Sequence, residues 1–252
     1  MTLVQDILRE VDRLAPLDAA EDYDNVGLLI GDGAQSVRCC LITLDVTAEV
    51  IREAVERGCS LILSHHPVIF HPLKRIIADS VPGLLLKSGL SVISAHTNVD
   101  KALLNDRLAE LLGIQKQETL PGSGGCACIG LPPEDGLSAR ALALLCRERL
   151  GLSGGRVYDA GRPVRKLVLC CGGGGSFVHD LPEDADCLIS GDMKHDQVVD
   201  AANMGVSMID LGHFETERHF PPMMAELLSK SFPETAFLEA ESCRPLFEYL
   251  TP

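Results

Sequence analysis

The sequence predicts an α/β fold: mostly parallel sheets flanked by helices, in two similar lobes with a metal site in the cleft between them. Three observations carry this. Strand-type apolar runs alternate with helical patterns, several helices close on a glycine, and successive strands end in polar, metal-competent residues instead of hairpin turns.

In chain order, Met1 to Pro16 places Leu3, Ile7, Leu8, Val11 and Leu14 at helical spacing, which reads as an amphipathic helix. Cys39–Val46 reads as a buried strand, and Ala48–Arg57 as a helix ending at Gly58. Cys59–Ser64 is a strand, Val81–Ser88 a short helix, Leu90–Ala95 a strand and Ala102–Leu112 a helix closed by Gly113. This β-α-β-α-β-α order implies a largely parallel sheet covered by helices. Further strands are expected at Cys126–Leu131, Lys166–Cys171, Cys187–Ser190 and Val206–Asp210. Helices are expected at Ser138–Leu150, His195–Met204 and Thr216–Ser229.

The Gly-rich stretch Pro121–Gly125 marks the expected boundary, giving a first lobe over 1–120 and a second over 121–215, with 216–252 packing on the first. A faint internal echo fits two related halves. Cys59-Ser-Leu-Ile-Leu-Ser-His-His resembles Asp186-Cys-Leu-Ile-Ser-Gly-Asp, and Ser91-Val-Ile-Ser-Ala-His resembles Ser207-Met-Ile-Asp-Leu-Gly-His.

The 252 residues suffice for one large α/β domain or two modest lobes. Apolar residues make up 46% and charged residues 23%, ordinary for a soluble globular protein. Aromatics are only 4%, with no Trp, so aliphatic side chains supply the core. A net charge of −14 disfavours nucleic acid and anionic membrane as partners, because both are bound through Lys and Arg. No apolar run reaches the roughly 18–20 residues that span a bilayer. The N-terminus also lacks the basic start and unbroken apolar stretch of a signal peptide, so a cytoplasmic protein is expected.

The ten cysteines contain no C-x-x-C pair, which argues against a zinc ribbon. Cys39, Cys40, Cys59, Cys170, Cys171 and Cys187 lie in or beside strand-like runs and are expected as unoxidised core residues.

In parallel α/β sheets, ligands bind beyond the carboxyl ends of strands. The run Leu61-Ile-Leu-Ser64 leads into His65-His66-Pro67. Within an extended strand, two adjacent rings would face opposite ways; at a strand end the chain turns, and both can address neighbouring ions. Pro67 has no N–H and biases His66 away from helix, which helps stop the strand. Val92-Ile-Ser94 leads to His96 and Asp100, and Met208-Ile-Asp210 leads to His213 and Glu217. Each pair is spaced i, i+4, which a helix start would place on one face. These N and O donors suit zinc, manganese or iron, with no thiolate to demand a softer ion. Their number fits two divalent ions per chain, with Glu217 the expected bridge.

Five strings then become recognisable: Tyr23-Asp-Asn-Val-Gly-Leu28, Leu63-Ser-His-His-Pro67, Ser94-Ala-His-Thr-Asn-Val-Asp100, Ser190-Gly-Asp-Met-Lys194 and Gly212-His-Phe-Glu-Thr-Glu217. Together they resemble the Ngg-one-interacting-factor-three family in its short bacterial form. Members of that family are also labelled GTP cyclohydrolase I type 2 homologues or dinuclear metal centre hexameric proteins. The resemblance implies two divalent metals on His65, His66, Asp100, His213 and Glu217, with His96 at a family histidine position. It also implies a homo-oligomer, a hexameric ring with the sites facing an internal cavity. Asp196 departs from the pattern, since many relatives carry a second His there. Tyr23 stands where relatives often have Trp.

The function expected is a metal-dependent hydrolase acting on a nucleotide or related heterocycle, with Asp100 and Glu217 as catalytic carboxylates. A phosphoesterase using the same site is one alternative, and a non-enzymatic metal-holding ring that recruits a protein partner is another. Gly172–Gly175 after a strand reads either as an anion-binding turn or as a turn needing positive φ.

Overall fold

The computed structural model describes residues 1–248. The chain divides into two compact units, Met1–Ala102 with His219–Arg244, and a second built on Leu103–Arg218. Both are α/β. Among the described residues, no helix is long and apolar enough to cross a membrane.

The first unit opens with β1 (Thr2–Leu3) and α1 (Val4–Leu14), followed by β2 (Gly27–Ile30), β3 (Ser36–Val37) and β4 (Cys39–Thr43). Then come α2 (Ala48–Glu56), β5 (Leu61–Ser64), α3 (Val81–Ser88), β6 (Ser91–Ser94) and the short α4 (Thr97–Val99). The amphipathic start forms as predicted: α1 buries Val4, Ile7 and Val11, one residue per turn. Thr47 caps α2 through Val50 N, and Ser80 caps α3 through Gly83 N. Strands β4, β5 and β6 are buried at every position, because helices cover both faces of a parallel sheet. One face sets Leu41, Ile62 and Val92 against Val50, Ile51 and Ala54 of α2 and Leu85 of α3.

The second unit contains α5 (Asn105–Leu112), β7 (Gln115–Thr119), β8 (Cys128–Leu131), α6 (Ala139–Leu150), β9 (Arg156–Tyr158) and β10 (Leu167–Leu169). It continues through β11 (Cys187–Ser190), α7 (His195–Met204), β12 (Ser207–Asp210) and α8 (His213–Glu217). The chain returns to the first unit with α9 (Phe220–Ser231) and β13 (Ala236–Glu239).

The first sheet has the order β13-β4-β5-β6-β2, with only β2 antiparallel to its neighbour. The second, β7-β8-β10-β11-β12-β9, is mixed: β10, β11 and β12 are parallel, while β7, β8 and β9 join through antiparallel pairings. The parallel expectation thus applies to the first sheet apart from β2 and to the centre of the second. Antiparallel strands need no crossover helix, so the tight turn at 121–125 can link β7 directly to β8. Strand β7, exposed along its whole length, is too polar to be read as a strand from apolar periodicity.

The cysteine expectation needs one correction. Cys39 and Cys59 are disulfide-paired, with Cα atoms 4.4 Å apart where β4 and β5 begin. Register explains the pairing, since Cys40 lies opposite Leu61 and so brings Cys39, the first residue of β4, beside the segment leading into β5 that carries Cys59. Burial pushes the thiols of Cys128 and Cys146 up to about 11 and about 12, and that of Cys187 well above its ordinary value. Those thiols stay protonated and serve as core.

Candidate metal-binding groups

The first ligand set stands where β5 and β6 end. The ladder runs one step beyond β5: His65 N donates to Thr43 O at 3.0 Å and His66 N to Leu44 O at 3.0 Å. In a regular strand, successive N–H groups point to opposite sides. Here both point toward β4, so the chain has already turned, and two adjacent rings converge with centroids 5.0 Å apart. The ring nitrogens of His65, His66 and His96 lie within 4.8 Å of one another. His65 is fully buried, its ring stacked on Phe220 at 4.9 Å.

Polar side chains fasten this corner. Ser64 Oγ lies 2.8 Å from Ser94 Oγ across the two strand ends and also donates to His66 O at 3.0 Å. Thr43 Oγ1 donates to Asp45 O at 2.8 Å. His65 Nδ1 lies 3.0 Å from Ala95 O, His66 Nδ1 lies 2.8 Å from Asp45 Oδ1, and His96 Nδ1 lies 2.9 Å from Asp24 Oδ1. Carbonyl and carboxylate oxygens only accept, so Nδ1 carries the proton in each ring and Nε2 is left as the donor atom toward a metal.

Asp24 is the best-held of these carboxylates. It also accepts from Thr97 N at 3.1 Å, Thr97 Oγ1 at 2.6 Å and Asn25 N at 2.7 Å. Burial alone would raise its pKa, but the hydrogen bonds from His96 and Thr97 and the His96 charge outweigh that and hold it well below the usual carboxylate range.

Asp100 begins a π-helical turn, Asp100–Leu104, between α4 and α5. The helical turn from His96 to Asp100 does form, with Asp100 N donating to His96 O at 3.1 Å, but the two side chains take separate partners. Asp100 Oδ1 lies 3.3 Å from His65 Nε2, while His96 turns to Asp24.

The second ligand set lies in the second unit, at the start of α8. There the i, i+4 expectation holds: His213 Nε2 is 3.2 Å from Glu217 Oε2, and Glu217 is buried. His213 Nδ1 lies 2.9 Å from Asp192 Oδ2. Burial would lower the His213 pKa, but the Glu217 hydrogen bond and the charges of Glu217 and Asp192 push it up to about 9.

The Gly172–Gly175 turn explains itself here. Gly172 N donates to Thr216 Oγ1 at 2.9 Å and Gly174 N to Ser190 Oγ at 2.8 Å, so these N–H groups are committed within the protein and do not face an anion. A Cβ on Gly172 would sit 2.2 Å from Glu217 Oε1 and 3.3 Å from His213 Nε2, at φ +62°. At Gly191 it would sit 2.5 Å from His213 N. Glycine is required at 172 because the backbone passes directly against the Glu217 and His213 side chains, and at 191 because it passes against the backbone of Gly212 and His213.

Both sets suit a divalent ion. They consist of imidazole nitrogens and carboxylate oxygens, with no thiolate. His195 and Asp196, in the first turn of α7, are exposed. Three residues missed by the sequence reading are Asp45, Asp192 and, as a histidine partner, Asp24. Each lies in a signal available in the sequence: Asp45 follows β4, Asp192 follows β11, and Asp24 belongs to the Tyr23-Asp-Asn string.

Known proteins match most of the chain. The chain is 34% identical over 232 residues to a Campylobacter jejuni protein named GTP cyclohydrolase 1 type 2 homolog, covering 88% of this chain and 90% of that one. It is 32% identical to a Helicobacter pylori protein named GTP cyclohydrolase 1 type 2, covering 90% and 92%. Its fold matches a Bacillus cereus protein related to NIF3 with a TM-score of 0.87 at 21% identity, over 99% of both chains. Over residues 2–244 the sequence matches the Duf34/NIF3 (NGG1p interacting factor 3) family, and the chain belongs to that family.

Proposed function

We propose that this protein holds two divalent metal ions and acts as a metal-dependent hydrolase on a nucleotide or related heterocycle. The ligands in this reading are His65, His66, Asp100, His213 and Glu217, assisted by His96. The observation that carries it is the convergence of His65, His66 and His96 with every Nδ1 already engaged, which leaves donor nitrogens within 4.8 Å of one another. Outside a metal site, three such rings would have no reason to gather at one strand end. The names of the Campylobacter and Helicobacter relatives support a cyclohydrolase-type substrate.

Divalent ions held there would supply Lewis acidity and bring the pKa of water down to about 7. The remaining work belongs to the chain. His65 is kept in one orientation by Ala95 O and Phe220 and cannot swing away as charge develops. Asp100 and Glu217 are the carboxylates placed to accept a proton as water adds to an electron-poor ring carbon. On guanine that carbon would be C8: one water opens the imidazole ring to a formamide, and a second hydrolyses the formamide so that the carbon leaves as formate and the nitrogen as an amine.

The test is incubation of metal-loaded protein with GTP while formate release is followed, with Asp100→Asn alongside. Formate production that falls about 100-fold or more in the variant is expected. Intact metal with no turnover on GTP or on a wider nucleotide panel would overturn the hydrolase reading and favour the partner-recruiting ring. We also read the protein as a homohexamer, for which light scattering should give about six times the 27.1 kDa chain mass; a monomer mass would contradict it.

A further inference from the structure

Asp192 is the one non-glycine residue with positive φ among the described residues, at +52°. That left-handed backbone costs most side chains with a Cβ; glycine normally occupies it, and Asp and Asn are the side chains that tolerate it best. The chain supplies glycine freely nearby, at Gly191 and at Gly172–Gly175, yet places aspartate here. Burial does not hold it, since its side chain is 66% exposed.

What fixes the conformation lies on either side. Gly191 N donates to Gly172 O at 2.8 Å, and Met193 N donates to Asp210 Oδ2 at 3.1 Å. Asp210 is itself gripped, accepting from Arg156 and from Gly212 N at 3.0 Å. The turn is therefore set by its neighbours, and the left-handed residue within it is over-determined. The one thing its side chain does is place Oδ2 2.9 Å from His213 Nδ1.

We infer that Asp192 is a positioning residue for His213: its carboxylate, carried on a strained backbone, holds the proton on Nδ1, turns Nε2 toward a divalent ion and strengthens it as a ligand. The inference rests on reading His213 as a ligand, as proposed above. Asp45 on His66 and Asp24 on His96 repeat the arrangement on backbone without positive φ, while His65 uses a carbonyl. Asp192 is thus the member set on a left-handed turn where glycine would fit more freely, and the histidine contact gives its carboxylate a role there.

The experiment uses the full chain, stripped with chelator and dialysed, then titrated with Zn²⁺ by calorimetry and with Co²⁺ by visible absorption. Asp192→Gly removes the carboxylate and relieves the backbone, and Asp192→Asn keeps an acceptor without the charge. In Asp192→Gly, affinity for at least one ion should fall about 10–100-fold and the Co²⁺ spectrum should shift. Its metal-free Tm should stay within about 2 °C of wild type, because relieved strain and added chain freedom oppose each other. Asp192→Asn should lose less affinity than Asp192→Gly. Unchanged affinity and spectrum in Asp192→Gly would overturn the inference, as would an affinity loss that only accompanies a fall in metal-free Tm. A wild-type chain that takes up no ion would overturn the ligand reading itself, and the positioning role with it.

Discussion

The histidine doublet after β5 and the His213–Glu217 pair in α8 fix their ligand atoms by different means. Around the doublet, hydroxyls and carboxylates do the holding: Ser64, Ser94, Thr43, Asp45 and Asp24 form a bonded corner at the ends of parallel strands. Around His213 and Glu217 the backbone itself presses in, and glycines at 172 and 191 make that approach possible. The first arrangement spreads its precision over many modest hydrogen bonds, each typically about 1 kcal/mol net. The second concentrates it in a few positions where one methyl group would collide. The first should therefore degrade gradually under substitution, and the second abruptly.

The largest effect is expected from removing a ligand. His65→Ala should weaken uptake of at least one ion by more than about 100-fold, measured by calorimetric titration of folded protein. Retention of both ions at wild-type affinity would remove His65 from the site.

Next comes Gly172→Ala, which puts a methyl 2.2 Å from Glu217 Oε1 on a backbone at φ +62°. It should lower metal affinity about tenfold or more and cost about 1–3 kcal/mol of stability by denaturant titration. Gly58→Ala is the matching control, because φ there is +68° but nothing lies within 4 Å of the added Cβ. It should cost about 1 kcal/mol and leave metal binding alone. Equal metal affinities in the two variants would break the comparison.

These contrasts also show what the sequence could reveal. The ligand residues were legible because His and carboxylate letters follow apolar strands, a pattern the parallel ladder of β4, β5 and β6 turns into a shared corner. The i, i+4 spacing brings His213 and Glu217 into direct contact, whereas His96 and Asp100, although joined by the same helical turn, turn to Asp24 and His65, partners that local spacing does not reveal. The glycine run was visible, but two explanations fitted it equally until Glu217 was seen against Gly172. Asp45 and Asp192 were hidden because a carboxylate's partner across about 20 residues of sequence depends on register, not on local pattern. Strand β7 was missed since its five residues are all exposed.

Within the doublet's corner, Asp24→Ala should act more gently than Gly172→Ala on metal binding, lowering affinity by roughly tenfold through a loosened His96. It should also cost about 1–3 kcal/mol, because Thr97 N and Oγ1 lose their shared acceptor. A loss of all metal binding would mean that this corner is as brittle as the glycine-lined one.

The smallest effect on metal is expected at Glu53, a carboxylate that fastens chain segments away from either ligand set. It accepts from Glu241 N at 3.0 Å, Ser242 N at 2.9 Å and Arg57 Nη1 at 2.6 Å. Burial would raise its pKa, but these partners and the Ser242 hydroxyl hold it at about 2. Its folded value is depressed, so its contribution is present above about pH 4.5 and lost as pH falls through about 2. Glu53→Gln should cost on the order of 2 kcal/mol at pH 7, and the gap to wild type should close across that acid window. Metal affinity should not change.

The central claim, that the two ligand sets serve a dinuclear centre, is tested most directly by metal content. Protein purified without chelator and analysed by mass spectrometry should carry about two transition-metal ions per chain, falling toward one or none in His65→Ala and in Glu217→Ala. Less than about one ion per wild-type chain, unchanged after incubation with zinc, manganese or iron, would contradict it.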